Sequence, residues 1–250
     1  AFTGNAGSAI EAIAQGSRPN IFGGRNVTTA MYAMFTPAFG FTAENDGQGM
    51  IEHIPMGGQF WDGRADDLAA QARGPFLNPR EMNNADAAAV VAKVSQASYA
   101  DLFRDVYGEN ALKDSASAYI KISEAIAAYE RTEAFAPFTS RFDDYLRGKE
   151  QLTADELAGF ELFKNKEKGN CIACHAGDID SKEPKDWLFT DFTYDALGAP
   201  RNADIPDNAD AAYFDLGLCK QEGFADKAPL GVDAEAFCGA FKVPTLRNIE

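Results

Sequence analysis

The sequence predicts a mainly α fold with long loops. Three observations carry that expectation: an amphipathic segment over 115–134, several shorter helical segments with recognisable ends, and strand-like alternation that is weak everywhere. Residues 6–15 have a helical period. Residues 16–58 are rich in Gly, Asn, Phe and Thr and read mostly as irregular loop, a length usually reserved for function, for instance wrapped around a cofactor. A short helix over 65–73 is closed by Gly74-Pro75, and 86–95 and 99–106 follow as helices. Within 115–134, Ala118, Ile122, Ala125, Ile126 and Tyr129 recur on one face. Residues 138–146 form another helix, with Phe138, Phe142, Tyr145 and Leu146 inward. Thr153 and Glu156 make a capping box ahead of 157–163, whose apolar positions are Leu157, Phe160, Leu162 and Phe163. The stretch 164–170 then delivers the chain to Cys171. Beyond Ala176 the sequence is loop-like again.

The 250 residues suit one large domain or two small ones, with room for a sizeable core. A soft boundary near Ala136 separates a loop-plus-helix half from the half that holds Cys171. Twenty-three basic residues against 38 acidic ones give a net charge of −15 and leave no basic excess to neutralise phosphates. A nucleic-acid partner is therefore excluded, and an anionic membrane face is disfavoured. No apolar run approaches the roughly 18 residues of a membrane span. There is no initiator Met and no signal peptide, so the chain is expected to be a mature form, a fragment or an excerpt.

Two of the four cysteines and one of the two histidines fall within five residues, as Cys171-Ile172-Ala173-Cys174-His175. This C-x-x-C-H is the attachment sequence for c-type haem. Two thiols add across the haem vinyl groups as thioethers, and the adjacent imidazole becomes the proximal iron ligand. A redox C-x-x-C would want a βαβ setting, and a zinc site would have to recruit its remaining ligands from His53, Cys219 and Cys238. Covalent haem attachment implies a periplasmic or otherwise extracytoplasmic location. There Cys219 and Cys238, flanking an eighteen-residue loop, are expected to form a disulfide, the alternative being two unpaired thiols.

Further motifs arrive in order. They are Gly24-Arg25-Asn26-Val27-Thr28-Thr29, Gln59-Phe60-Trp61-Asp62-Gly63-Arg64-Ala65, Gln71, Gly74-Pro75 and Asn78-Pro79-Arg80-Glu81-Met82. After the haem motif comes Phe241-Lys242-Val243-Pro244-Thr245-Leu246-Arg247-Asn248. The series resembles the bacterial dihaem cytochrome c peroxidase family, which includes MauG, over nearly the whole chain. The resemblance implies two cytochrome c-like helical domains, 1–136 and 137–250, each holding one haem in the complete protein. It implies that Trp61 relays electrons between haems. It also implies that Gln71 and Glu81 serve the peroxide pocket, the carboxylate moving a proton and the amide holding peroxide. Asn26 would contribute to an interfacial calcium, together with carbonyls beyond Glu250. Each has a plainer alternative: Trp61 as a large core residue, Gln71 and Glu81 as solvated helix-end groups, Asn26 as a turn residue.

The sequence also departs from the pattern. The family's first C-x-x-C-H, which carries the peroxidatic haem, is absent, and the chain is expected to be an internal portion beginning just after it and ending before the second haem's distal ligand. Residues 15–22 contain no histidine to cap the peroxidatic iron. His53 could substitute, but a loop histidine satisfied locally is the favoured reading. The leading expectation is reduction of hydrogen peroxide with electrons from a small redox protein, a cytochrome c or a cupredoxin. The alternatives are a MauG-like oxidase acting on a partner protein and a non-enzymatic haem c electron carrier. The acidic surface suits a basic donor, and family resemblance allows a homodimer.

Overall fold

The helix starts follow from single side chains. In the computed structural model, which describes residues 13–45 and 51–249, Asp67, Asp86, Asp114, Ser140 and Thr153 each accept first-turn backbone N–H groups. These donors have no partner inside their own helices, and a short polar side chain at the cap satisfies them. The helices so begun are α1 (Leu68–Leu77), α2 (Ala87–Ser95), α4 (Ser115–Glu130), α5 (Arg141–Leu146) and α6 (Ala154–Lys164). Two helices without a side-chain cap, α3 (Ala100–Tyr107) and α7 (Phe224–Lys227), complete the set among the described residues.

The described chain divides into two compact units, neither contiguous in sequence. The first takes in the segment through Thr29, Ala65–Arg131 and Gly198–Asp215. Its core is helical: Val90, Val91 and Val94 of α2 and Phe103 of α3 meet Ala118, Tyr119 and Ile122 of α4. The Tyr119 hydroxyl donates to the Arg73 carbonyl at 2.6 Å and ties α4 to α1. The second unit comprises Ala30–Arg64, Thr132–Leu197 and Leu216–Glu250. It carries two two-stranded antiparallel sheets, β1 (Gly40–Asn45) with β2 (Ile51–Met56) and β3 (Tyr194–Asp195) with β4 (Phe241–Lys242). In β1–β2, Gly40 faces Met56 and Thr42 faces Ile54. Phe41 stacks on Phe224 at 5.8 Å, within a cluster built on Tyr194, Leu218, Phe224 and Ala240.

Several expectations need correction. Residues 16–58 are mostly irregular where described, as expected, but the paired strands β1 and β2 lie within them, and His53 stands on β2 opposite Ala43 rather than in a loop. Gly74-Pro75 does not stop α1, which runs on to Leu77 with Pro75 inside it. Pro75 stands close enough to the C-terminus that only one helical bond is lost, the one its missing N–H would have given to the Gln71 carbonyl. The helix of 115–134 ends at Glu130, and Tyr129, expected inward, is 62% exposed. The helix expected over 138–146 starts only at Arg141. Leu157 and Leu162 of α6 are exposed rather than buried. The helix expected over 6–15 lies largely outside the described residues, and Gln15 bridges Phe22 in extended pairing.

Candidate haem-attachment site

The C-x-x-C-H motif follows α6 directly. Thr153 Oγ1 accepts from the Glu156 N–H at 3.3 Å and Glu156 Oε2 accepts from the Thr153 N–H at 2.6 Å, the capping box expected from sequence. The chain then turns through Asn170, at a left-handed φ of 48°, into a 3-10 turn over Cys171–Ala173. The N–H groups of Cys174 and His175 both donate to the Cys171 carbonyl, at 3.4 and 2.9 Å. One turn of backbone therefore presents both sulfurs and the imidazole. Cys171 is exposed and Cys174 half-exposed, and both are free thiols. Burial pushes the Cys174 thiol up, and the carboxylates of Asp195 and Asp191 push the same way. It is thus held as thiol rather than thiolate.

His175 Nδ1 lies 3.1 Å from the Phe189 carbonyl. A carbonyl can only accept, so the proton sits on Nδ1 and the lone pair on Nε2, which is the tautomer a proximal iron ligand requires. The residues present therefore fit covalent haem c: two reduced thiols on one turn and an oriented imidazole. An open cavity of about 900 Å³ adjoins the motif through Ile172, between Ala158 and Leu162 of α6 and Gly177 with Ile179. None of Cys171, Cys174 or His175 lines it.

Behind the motif, Trp187 packs with Phe142, Phe160 and Phe189 at centroid separations of 5.3–5.7 Å. Gly177 is obligatory there, since a Cβ would sit 2.2 Å from Trp187 Cε3. A buried ion pair closes the floor. Arg247 Nη1 and Nη2 donate to Asp143 at 3.1 and 2.9 Å, Nε donates to the Trp187 carbonyl and Nη2 also to the Pro184 carbonyl. Burial alone would raise the Asp143 carboxyl, but the Arg247 and Ser140 hydrogen bonds outweigh it and hold it below the usual carboxylate range. The guanidinium also lies 4.6 Å from the Phe138 ring centroid and 5.0 Å from that of Tyr32. Sequence reasoning quoted Arg247 within a motif without giving it this part, and Asp143 it missed.

The other candidate residues are distributed over both units. Trp61 is half-buried on a turn of the second unit, where its carbonyl accepts from the Lys242 N–H at 2.8 Å. Gly63 beside it has a φ of 67°, and a Cβ there would lie 2.0 Å from the Tyr194 hydroxyl. Gln71 lies on α1 and Glu81 in the turn after it, both half-buried and both in the first unit. That turn is held from the loop at 16–18: the Ser17 N–H donates to the Glu81 carbonyl at 2.7 Å, Ser17 Oγ to Met82 and Arg18 to Pro79. Arg80 is paired with Asp207. Asn26 is exposed, and its side-chain oxygen accepts from Asn202 Nδ2 at 2.9 Å. Among the described residues no group of three or more His, Cys, Asp or Glu is arranged to hold a metal ion. Cys219 and Cys238 are joined by a disulfide.

A solvent-facing C-x-x-C-H turn with an oriented histidine, set against an aromatic floor, defines a c-type haem protein. Residues 3–151 match the family model for di-haem cytochrome c peroxidases, and the chain belongs to that family. It is 37% identical over 246 residues to the methylamine utilization protein MauG of Paracoccus denitrificans, covering 97% of this chain and 58% of that protein. It is 34% identical over 196 residues to the cytochrome c551 peroxidase of Nitrosomonas europaea, covering 77% and 47%. The solved structure of the diheme peroxidase BthA from Burkholderia thailandensis superposes with a TM-score of 0.84 at 37% identity, over 95% of this chain and 55% of that one. The chain thus spans about half the length of the relatives it matches. Among the described residues no helix is long and apolar enough to cross a membrane.

Proposed function

We propose that the whole protein is a periplasmic dihaem peroxidase that reduces hydrogen peroxide to water with electrons from a small redox protein, a cytochrome c or a cupredoxin. The observation that carries the reading is the haem-ready turn at Cys171, Cys174 and His175, in a chain that also keeps Trp61, Gln71 and Glu81 at the family's spacing. In the whole protein two cytochrome c-like domains, divided in sequence at 136/137, hold one haem each; 1–136 has no C-x-x-C-H of its own here, and 30–64 and 198–215 pack with the opposite unit. When bound, haem c supplies an iron that passes single electrons and, at the peroxidatic site, takes up peroxide.

The chain's own groups do the rest. Cys171 and Cys174 would hold the cofactor as thioethers, and His175 would offer its Nε2 to the iron, with the imidazole oriented by the Phe189 carbonyl. Trp61 relays electrons between the haems. Gln71 holds peroxide by hydrogen bonds, and Glu81 carries a proton from one peroxide oxygen to the other. A calcium ion at Asn26 requires the carboxamide oxygen to exchange its Asn202 bond for the cation. The acidic surface favours a basic donor, and a homodimer is consistent with the family.

A second reading, a MauG-like oxidase that modifies a partner protein, is supported by the 97% coverage of this chain in the match to MauG of Paracoccus denitrificans. A pyridine haemochrome assay on the full-length protein, with steady-state peroxide consumption, separates the readings. Two haems with rapid turnover on a small reduced donor support the peroxidase. Two haems with sluggish turnover on any small donor turn the assignment to the oxidase. One haem without turnover leaves an electron carrier.

A further inference from the structure

Three side chains of the second unit converge on the loop that carries Trp61. The Tyr194 hydroxyl donates to the Gly57 carbonyl at 2.6 Å, Gln221 Nε2 to the Gly63 carbonyl at 2.9 Å, and Lys242 Nζ to the Gly58 carbonyl. The Lys242 main-chain N–H takes the carbonyl of Trp61 itself. Lys242 thus holds the loop at two points three residues apart, once through its backbone and once through its charged head. The loop has little freedom to answer, because Gly57, Phe60 and Gly63 sit at φ of 79°, 67° and 67° and Arg64 lies 3.6 Å from the Phe60 ring centroid.

A neutral donor would suffice for a carbonyl, as Tyr194 and Gln221 demonstrate. At Gly58 the donor is instead a cation in a place that costs it solvation. Burial pushes the Lys242 ammonium down to about 8, with Asp62 pulling it back up. The ionisable groups around it are few. Asp62 is bound by Arg64 Nη1 at 2.8 and 3.1 Å. Tyr194 on β3 has its hydroxyl pushed up by burial and stays neutral. Asp195 follows it on β3 opposite Phe241, and Lys220 next to Gln221 is exposed.

We propose that Lys242 is a positioning residue for electron passage through Trp61, holding the loop with its amine and setting with its charge the energy of an electron-deficient indole. This rests on the relay reading of Trp61. In that reading the indole would give one electron to the peroxide-oxidised side and take one back from the group held at Cys171 and Cys174, so it would be cationic only in the interval. A positive Lys242, bound from β4 to the Trp61 loop, opposes that interval, and a neutral one does not. Passage therefore quickens as pH rises through the titration of the amine. The scale follows from Coulomb's law in general: at an effective dielectric of about 20, a unit charge about 12 Å from a cation changes that cation's population about tenfold, and a nearer one changes it more.

The test uses the full-length dihaem protein. Inter-haem electron transfer after one equivalent of peroxide is followed by stopped-flow absorbance over about two pH units either side of the amine's value of about 8. Wild type should quicken about tenfold across that range. Lys242→Met, which loses both charge and donor, should be flat with pH, and Lys242→Arg, which keeps both, should be flat and no faster than wild type at low pH, with haem content unchanged. Carbon NMR of isotopically methylated lysines in the resting protein gives a readout independent of turnover: one amine should titrate near 8 and disappear in Lys242→Arg. An ordinary lysine titration at that position, or a wild-type pH profile kept by Lys242→Met, overturns the proposal. Trp61→Phe distinguishes the two levels. Wild-type rates in that variant sink the relay reading, whereas slowed rates there alongside a retained profile in Lys242→Met sink the Lys242 assignment alone.

Discussion

Replacing Asp143 by Asn tests the buried ion pair most directly, because size and one acceptor oxygen are kept and only the charge is lost. The pair is as buried as this protein allows, with side-chain exposures of 2% for Arg247 and 0% for Asp143. Removing one partner of such a pair strands the other charge and costs about 3–5 kcal/mol. The remaining acceptor, with the carbonyls of Trp187 and Pro184 still engaged, argues for the lower end. At about 2–4 °C per kcal/mol for a chain of this size, the melting temperature should fall by about 6–12 °C at neutral pH. Far-UV circular dichroism of the haem-loaded protein reads it. The pH dependence supplies a second check. Because the folded carboxyl lies below its unfolded value, its contribution is present above about pH 4 and is lost as pH falls through the folded value. The gap between wild type and Asp143→Asn should therefore close on acidification. A neutral-pH difference under about 2 °C, or a gap that widens in acid, would refute the account.

Three further outcomes are expected. Glu81→Gln keeps the side-chain size but removes the titrating group, and should lower peroxide turnover of the full-length protein by about a hundredfold to ten-thousandfold at unchanged haem content; near-normal turnover would remove Glu81 from the mechanism. Gly177→Ala forces a Cβ to 2.2 Å from Trp187, so it should lower haem incorporation and shift the near-ultraviolet dichroism of that indole, and an unaltered spectrum would contradict the packing. Opening the Cys219–Cys238 disulfide, whose sequence separation is 19, by a double Ser substitution should cost about 3 kcal/mol in denaturant titrations on the loop-closure estimate.

What was legible in the sequence is what chemistry forces to be contiguous. Thioether attachment needs two thiols and an imidazole on one turn, so the haem motif can be read without a fold. A helix cap needs its acceptor within three residues, so Thr153 and Glu156 could be paired by eye. The β1–β2 hairpin was hidden because Pro55 and His53 interrupt the apolar alternation of β2 and Gly40 opens β1. Period alone cannot find such a pair. Residue Pro75 misled for a related reason: a proline removes its own N–H bond and crowds the carbonyl four residues back, and two residues from a helix end that disturbance is tolerated.

The rest of the site was illegible because its partners are far apart in sequence. Asp143 and Arg247 are separated by 104 positions, and the local capping box with Ser140 that sets Asp143 apart from Asp144 gives no sign of a buried arginine partner. The same distance hides Lys242, 184 residues from the Gly58 carbonyl it holds. Its position in the Phe241–Asn248 motif was visible, but whether a lysine there is solvated or turned inward is settled only when β4 pairs with β3 and the Trp61 turn closes over both. A residue type announces its chemistry; the fold decides the environment in which that chemistry operates. For Lys242 the environment is a carbonyl-lined loop with one shared carboxylate near it, and that is what converts an ordinary surface cation into a group able to respond to pH near neutrality.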